Sequence, residues 1–380
     1  MQKTRVMFVV IQLEAGGSER VVLDLARGLN SNEFEIYVTA FNGGVLKTSL
    51  KEVCKNIFII NKKKGFDFSA MRKLSQIIVK NKIHVVNAHH YMPLFYSFLG
   101  TRVLNGRKLF YTEHSVPEVE NIAQSKHGKI FYWMLFRLNA VVGVSKEITR
   151  KFKEHYPRHA EKFIEILNGV DIDKYTNKLK REVIRSKWGL SKTHFVVGTV
   201  ANFKTVKNHV CLVRAASLLK DAYPHLRLLF VGRGFPGDSD NSEDQIRRLI
   251  EELGLQERVI LTGYQENVPE LLSTLDAFCL PSFSEGLPVS LLEAMASKVP
   301  VIGSRVRGID EVVDEGRTGF FFPSNDHVKL AETLKKVIDK PDVCKQVVSN
   351  AYDFVKANHD KQIWVNHYSN MFKSSVLNSK

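Results

Sequence analysis

Two carboxylates, Glu285 and Glu293, stand with seven residues between them in Pro281-Ser282-Phe283-Ser284-Glu285-Gly286-Leu287-Pro288-Val289-Ser290-Leu291-Leu292-Glu293. Before them runs Ala277-Phe278-Cys279-Leu280, a short apolar stretch that predicts a buried strand. After them Pro288 to Ser297 predicts a helix with proline near its first position. A strand, a glycine elbow and a helix start make a seat for an anion, because the first N–H groups are unpaired and the helix dipole favours negative charge. Acids beside a phosphate would repel it, so these two suit hydroxyls instead, as acids do for ribose in dinucleotide sites. The bland alternative is an amphipathic helix with two solvated acids. A phosphate seat flanked by hydroxyl acceptors fits a nucleotide joined to a sugar.

Other residues could serve the same chemistry. Lys207 lies in Ala201-Asn202-Phe203-Lys204-Thr205-Val206-Lys207-Asn208-His209, beside a predicted helix start, where a mobile ammonium meets phosphate readily. Gly16-Gly17 sits between a strand and a helix, with Ser18 as expected N-cap. The third glycine of the dinucleotide fingerprint is missing, so NAD is not indicated. His89-His90 and Glu113-His114 each follow an apolar strand run. No third and fourth ligand at recognisable spacing makes the histidines a metal site. Asp238-Ser239-Asp240 reads as a solvated loop, with Ser242 and Gln245 as a capping box for the next helix.

The elements that must position these residues alternate strand and helix. In the first half, strands are expected near 35–40, 57–60, 83–88, 108–112, 140–144 and 163–167, and helices near 71–82, 93–104, 128–138 and 146–155. The second half opens at 194–200, continues at 226–231, 259–262 and 277–280, and closes with three helices. Repeated βα units predict parallel sheets covered on both faces, with ligands at the carboxyl ends of strands.

Glu, seven residues, Glu inside "FSEGLPVSLLEAMA" resembles the donor-binding motif of the retaining GT-B glycosyltransferases of family 4. The likeness spans nearly the whole chain and is tightest from Val196 to Phe322. It implies an α/β fold of two doubly wound, Rossmann-like domains facing a central cleft: 1–171 on the acceptor side, 172–360 binding the donor, and a terminal helix, 361–380, crossing back. By the resemblance Glu293 holds the ribose, Glu285 faces the donor sugar, and the Gly286-Leu287 backbone meets the diphosphate. Lys207 matches the lysine that binds the diphosphate. Asn202 stands where the family has arginine, so Lys204 or another residue must supply the second charge. Gly232 resembles the nucleotide-side turn and Tyr264 passes the base. "GGSER", with Gly16 and Gly17, resembles the loop facing donor phosphates and acceptor. His114 is similar to the histidine touching the donor sugar, and His89 and His90 would line the acceptor side. Leu167 to Asp171 is similar to the family's interdomain turn, followed by a polar bridge, 174–187. The implied reaction transfers a sugar from a nucleoside diphosphate, UDP rather than GDP, to a hydroxyl of a lipid-linked or polysaccharide acceptor. His114, Lys207 and Glu285 carry it, without divalent metal or cofactor. The same fold hosts nucleotide-sugar epimerases and phosphorylases, so fold alone does not settle the chemistry. A non-catalytic nucleotide-sugar binder is a further alternative.

The bulk numbers agree with this. At 380 residues the chain exceeds one comfortable core, so two domains are expected. Its 44% hydrophobic and 25% charged content is that of a globular protein. No stretch approaches the roughly 20 apolar residues of a membrane span. The apolar run Val6 to Ile11 is too short for a signal-peptide core, and four scattered cysteines indicate neither disulfides nor zinc. A cytoplasmic protein is expected. Up to Asp171 there are 26 basic residues against 15 acidic, and beyond it 29 against 25, so most of the net +15 lies in the first half. That half holds two basic, aromatic segments, 126–137 and 93–109, and Lys62-Lys63-Lys64. Stripes at this spacing bury against a core, or attach shallowly to an anionic bilayer on the inner face of the membrane. A nucleic-acid partner is not expected, since no recognition motif accompanies the charge.

Overall fold

The computed structural model describes residues 3–14, 16–54, 56–101, 107–176, 181–235 and 238–377. The chain forms two compact units, Met1–Asn168 with Lys361–Lys380, and Gly169–Asp360.

Seven strands build the first unit: β1 Thr4–Val10, β2 Phe34–Ala40, β3 Asn56–Ile59, β4 Val85–His89, β5 Lys108–Glu113, β6 Ala140–Gly143 and β7 Phe163–Glu165. All pair in parallel, in the order β3-β2-β1-β4-β5-β6-β7. The continuous burial of Val6 to Val10 is what a strand covered on both faces requires. The chain steps outward from β1 to β3, then returns to place β4 beside β1. Strand order therefore reverses between β1 and β4, and a crevice opens at their carboxyl ends.

The second unit repeats the plan with β8 Phe195–Val200, β9 Leu226–Val231, β10 Val259–Leu261, β11 Ala277–Leu280, β12 Val301–Ser304 and β13 Phe320–Phe322. Its order is β10-β9-β8-β11-β12-β13, again all parallel, so the reversal falls between β8 and β11. Each unit thus shows one doubly wound α/β sheet, the class expected.

Several local expectations are corrected. The bridge 174–187 is not plain linker: helices Ile172–Thr176 and Arg181–Lys187 flank residues 177–180, which lie outside the described residues. Its charged composition conceals Tyr175 and Ile184, which are buried, and Arg185, which donates to Asp276 at 2.6 Å and to the Thr274 carbonyl at 2.8 Å. Ser18 is not a cap. Gly16 holds the N-cap position of the helix Gly17–Gly28, and Ser18 Oγ donates to the Glu19 carboxylate instead. Ser242 makes no side-chain cap either; the Glu243 N–H goes to Asn241 Oδ1. The helix Val116–Gln124 was not anticipated, although Pro117 suits its first turn and Val119 and Ile122 bury from it.

Each aromatic segment contains a helix, buried or partly buried along Tyr91–Thr101 and two-faced along Lys126–Leu135. In Lys126–Leu135, Phe131, Met134 and Leu135 bury while Ile130 and Trp133 are exposed, as is Phe136 just beyond. The helix expected to reach Leu104 is Tyr91–Thr101; residues 102–104, with Arg102, lie outside the described residues. The terminal helix Lys361–Leu377 belongs to the first unit. Its buried Phe372 packs edge-on against Phe8, Phe34 and Phe110.

Candidate active site

In the second unit the loops after the two central strands meet. The segment after β8 bends through the single turn Thr205–Lys207, and Asn208, at φ 48°, leads into the helix His209–Leu219. The elbow after β11 is tied to it by the Phe283 N–H donating to the Val206 carbonyl at 2.8 Å. This juxtaposition brings Lys207 Nζ to 2.7 Å and 2.8 Å from the two oxygens of Glu285. Ser282 Oγ, fully buried, donates to Glu285 Oε1 at 2.6 Å. Glu285 is thus a nearly buried carboxylate made tolerable by one ammonium and one hydroxyl. Two residues expected to touch different parts of a donor are partners of each other.

The helix Val289–Ala296 follows, with Pro288 at its N-cap position and no side chain capping its first turn. Proline supplies no N–H, and the N–H groups behind it face the elbow end with the positive end of the dipole. Glu293 lies one turn further in and is nearly buried; the Tyr175 hydroxyl donates to its Oε1 at 2.5 Å. The elbow's backbone is held from the far side by Gly308. At φ 87°, a Cβ there would lie 2.5 Å from the carbonyl oxygens of Glu285 and Gly286. Gly232 answers a similar need after β9: at φ 149°, a Cβ would come within 2.0 Å of the Ala201 carbonyl oxygen. Its N–H pairs with the Gly263 carbonyl at 3.0 Å, beside Tyr264, whose ring faces the Arg233 guanidinium at 5.8 Å. Lys204 pairs with Asp238 at 3.1 Å, and Asp240 accepts the Thr205 N–H, so the two aspartates brace this loop. Asn202, partly buried, gives its carbonyl to the Lys204 N–H at 2.8 Å.

The first unit has its own polar cluster at its strand reversal. Gly16 and Gly17 begin the helix after β1. His89 ends β4 and is fully buried, with Nδ1 2.8 Å from Nε2 of His114. Burial drives the His89 pKa down to about 3 and that of His114 well below the ordinary imidazole range. His89 was expected to line an acceptor; its side chain has no exposed surface, and its ring meets that of His114. His90, the next residue, has the opposite fate. It sits at φ 72°, with 22% of its side chain exposed and Nδ1 3.4 Å from Glu113 Oε1. Burial opposes its protonation, but the hydrogen bond and charge of Glu113 prevail and raise its pKa. Glu113, fully buried, also accepts from the Tyr111 hydroxyl and from the N–H groups of His114 and Ser115.

Tyr175, Ser282 and Gly308 were not foreseen as site residues. Gly308 stands in Gly308-Ile309-Asp310-Glu311, where nothing local marks it as a neighbour of the elbow. Nothing in a sequence links Tyr175 to a carboxylate 118 positions away.

The glycosyl transferases group 1 family matches residues 180–354 and glycosyltransferase family 4 matches residues 15–174. The chain is similar to the putative glycosyltransferase EpsD of Bacillus subtilis (strain 168), 26% identical over 83% of this chain and 82% of that one. It is 24% identical, over 93% of this chain and 94% of that one, to the UDP-Gal:alpha-D-GlcNAc-diphosphoundecaprenol alpha-1,3-galactosyltransferase of Escherichia coli. Among solved structures, Anabaena Alr3699/HepE in complex with UDP and glucose superposes with a TM-score of 0.87 at 21% identity, covering 98% of this chain and all (100%) of that one. WaaG, a glycosyltransferase involved in lipopolysaccharide biosynthesis, gives 0.78 at 17%, covering 97% and 99%. At these identities the superpositions speak for the fold.

Proposed function

The chain belongs to the glycosyltransferases, with a family 4 domain followed by a group 1 domain, and from that premise we propose that it moves a hexose from a UDP-sugar to a hydroxyl of a lipid-linked or polysaccharide acceptor, with retention of anomeric configuration. The observation that carries this reading is the Lys207–Glu285 pair at the strand reversal of the second unit, beside an uncapped helix start and with Glu293 one turn beyond. That set offers a cation and N–H dipoles to a diphosphate, and carboxylates to hydroxyls. UDP is favoured because the Escherichia coli relative is named for UDP-Gal and the Anabaena structure holds UDP.

As the bond from the anomeric carbon to the phosphate oxygen breaks, negative charge builds on the diphosphate. Lys207 and the first N–H groups of the helix Val289–Ala296 stabilise that charge as an oxyanion hole does. The acceptor oxygen bonds to the same face of the anomeric carbon, and its proton passes to the departing phosphate oxygen. Glu285 positions the sugar, and no divalent metal is required in this reading. The test combines three readouts: UDP release accelerated by acceptor, an anomeric configuration in the product equal to the donor's, and turnover unchanged by excess chelator. Acceptor-independent conversion of the donor would point to an epimerase, and metal-restored activity would overturn the metal-free account.

A peripheral position on the inner face of the cell membrane is part of the proposal. No helix among the described residues is long and apolar enough to cross a bilayer. The first unit nevertheless exposes Phe66 and Phe68 beside Lys62–Lys64, and Ile130, Trp133 and Phe136 beside Lys126, Lys129 and Arg137. Each group borders the helix Tyr91–Thr101, Phe66 through Phe95 at 6.2 Å and Trp133 through the buried Phe98 at 5.1 Å. Apolar rings among cations suit an anionic lipid surface. Flotation with anionic but not neutral liposomes is expected; failure with both would remove the membrane from the account.

A further inference from the structure

Tyr175 lies in the helix Ile172–Thr176, just after the chain enters the second unit, and its hydroxyl reaches Glu293 Oε1 at 2.5 Å. Both side chains are nearly buried. A phenylalanine would fill the same space at lower cost, since a buried hydroxyl is unfavourable unless bonded. The hydroxyl therefore serves the carboxylate rather than the packing. Both ends of the bond are mounted on rigid parts. The entering segment is pinned by the Val170 N–H, which donates to the His359 carbonyl at 2.7 Å. The Glu293 backbone lies in a helix whose residues Leu291 to Ala296 are all buried, and its carbonyl accepts the Ser297 N–H at 2.9 Å.

A glutamate carboxylate turns easily about its last torsion, which has a broad, two-fold profile. A donor fixed by the scaffold removes that freedom and aims the group. We propose that Tyr175 is a positioning residue that sets the Glu293 carboxylate for the ribose hydroxyls of the donor, and so governs selectivity for ribonucleotides over deoxyribonucleotides. The inference rests on the proposed ribose role of Glu293, and its test separates the two.

Dissociation constants for UDP, GDP and their 2′,3′-dideoxy forms are measured by calorimetry on the full chain, on Tyr175→Phe and on Glu293→Ala. Wild type is expected to prefer the ribonucleotide of whichever base binds. Tyr175→Phe should weaken that nucleotide roughly tenfold, the scale of one charge-assisted hydrogen bond. It should leave the dideoxy form within about twofold, because no hydroxyl remains for Glu293 to hold. Equal weakening of both forms would mean the phenol only supports the fold, and unchanged affinity with unchanged preference would mean it does nothing; either overturns the proposal. Glu293→Ala decides the reading beneath it. If that variant keeps both affinity and preference, the ribose role falls with the inference. If it loses them while Tyr175→Phe does not, the inference alone falls.

Discussion

Lys207 and Glu285 hold each other before any donor arrives. Glu285 has 7% of its side chain exposed and Lys207 26%, so removing the ammonium strands a charge that water barely reaches. Loss of one partner of a buried pair costs about 3–5 kcal/mol, and the partial exposure of Lys207 brings the expectation to the lower end. Lys207→Ala should therefore lose roughly 100-fold or more in rate, as lost oxyanion donors do. It should also lower the melting temperature of the second unit by several degrees. Adding Glu285→Gln to that variant should recover most of the stability and none of the rate. Calorimetry and initial rates separate the two effects. A Lys207→Ala enzyme within a few-fold of wild type would take the lysine out of the chemistry.

At the scale of elements, a strand, an elbow and a helix act as one device, and a neighbouring loop keeps the elbow in shape. Gly308 presses against the carbonyls of Glu285 and Gly286 at a backbone angle that side chains rarely adopt. Gly308→Ala must push the elbow away or leave that angle, a strain of about 1–3 kcal/mol. The elbow carries Glu285 and leads to the helix start, so the displacement should also reach the nucleotide. Expected are a lower melting temperature and a UDP dissociation constant raised about tenfold, in proportion to that strain. Wild-type affinity in a destabilised Gly308→Ala protein would show that the elbow's shape is not what seats the diphosphate.

Across the whole molecule, burial of neutral histidines ties stability to pH. His89 and His114 in the first unit and His209 in the second are held neutral by burial, His89 and His209 down to about 3. An unfolded chain binds protons at these positions below about pH 6.5 while the folded one does not. Stability is thus fully present above that pH and is lost as pH falls, by up to about 1.4 kcal/mol per unit for each group. His90 runs the other way, since its raised pKa adds stability that fades as pH rises through it. Burial lowers His84 and His194 as well, so five histidines against one predict a melting temperature that drops between pH 6.5 and pH 4. His209 lies among Phe203 and Phe230, with neither ring nitrogen hydrogen-bonded. His209→Leu should flatten the slope of the second unit and gain more stability at pH 5 than at pH 7.5. An unchanged slope would place the acid sensitivity elsewhere.

Strands, helices and their alternation were legible from local pattern, because apolar runs, glycine turns and helical spacing act over a few residues. The segment from Pro281 to Glu293 and the lysine at 207 could be singled out by residue type and by their places beside predicted helix starts. Pairings were not readable. Lys207 meets Glu285 across 78 positions because β8 and β11 are neighbours where the strand order reverses, and that order is settled by packing. His89 and His90 look alike in the chain, yet one is sealed inside and the other turns outward on a left-handed backbone residue. The amino-acid order alone determined which side chains were available and what local structure would carry them. Tertiary structure decided which charges are neutralised, which histidine meets solvent and which tyrosine holds a distant carboxylate, because those depend on contacts between segments whose separation leaves no periodic trace.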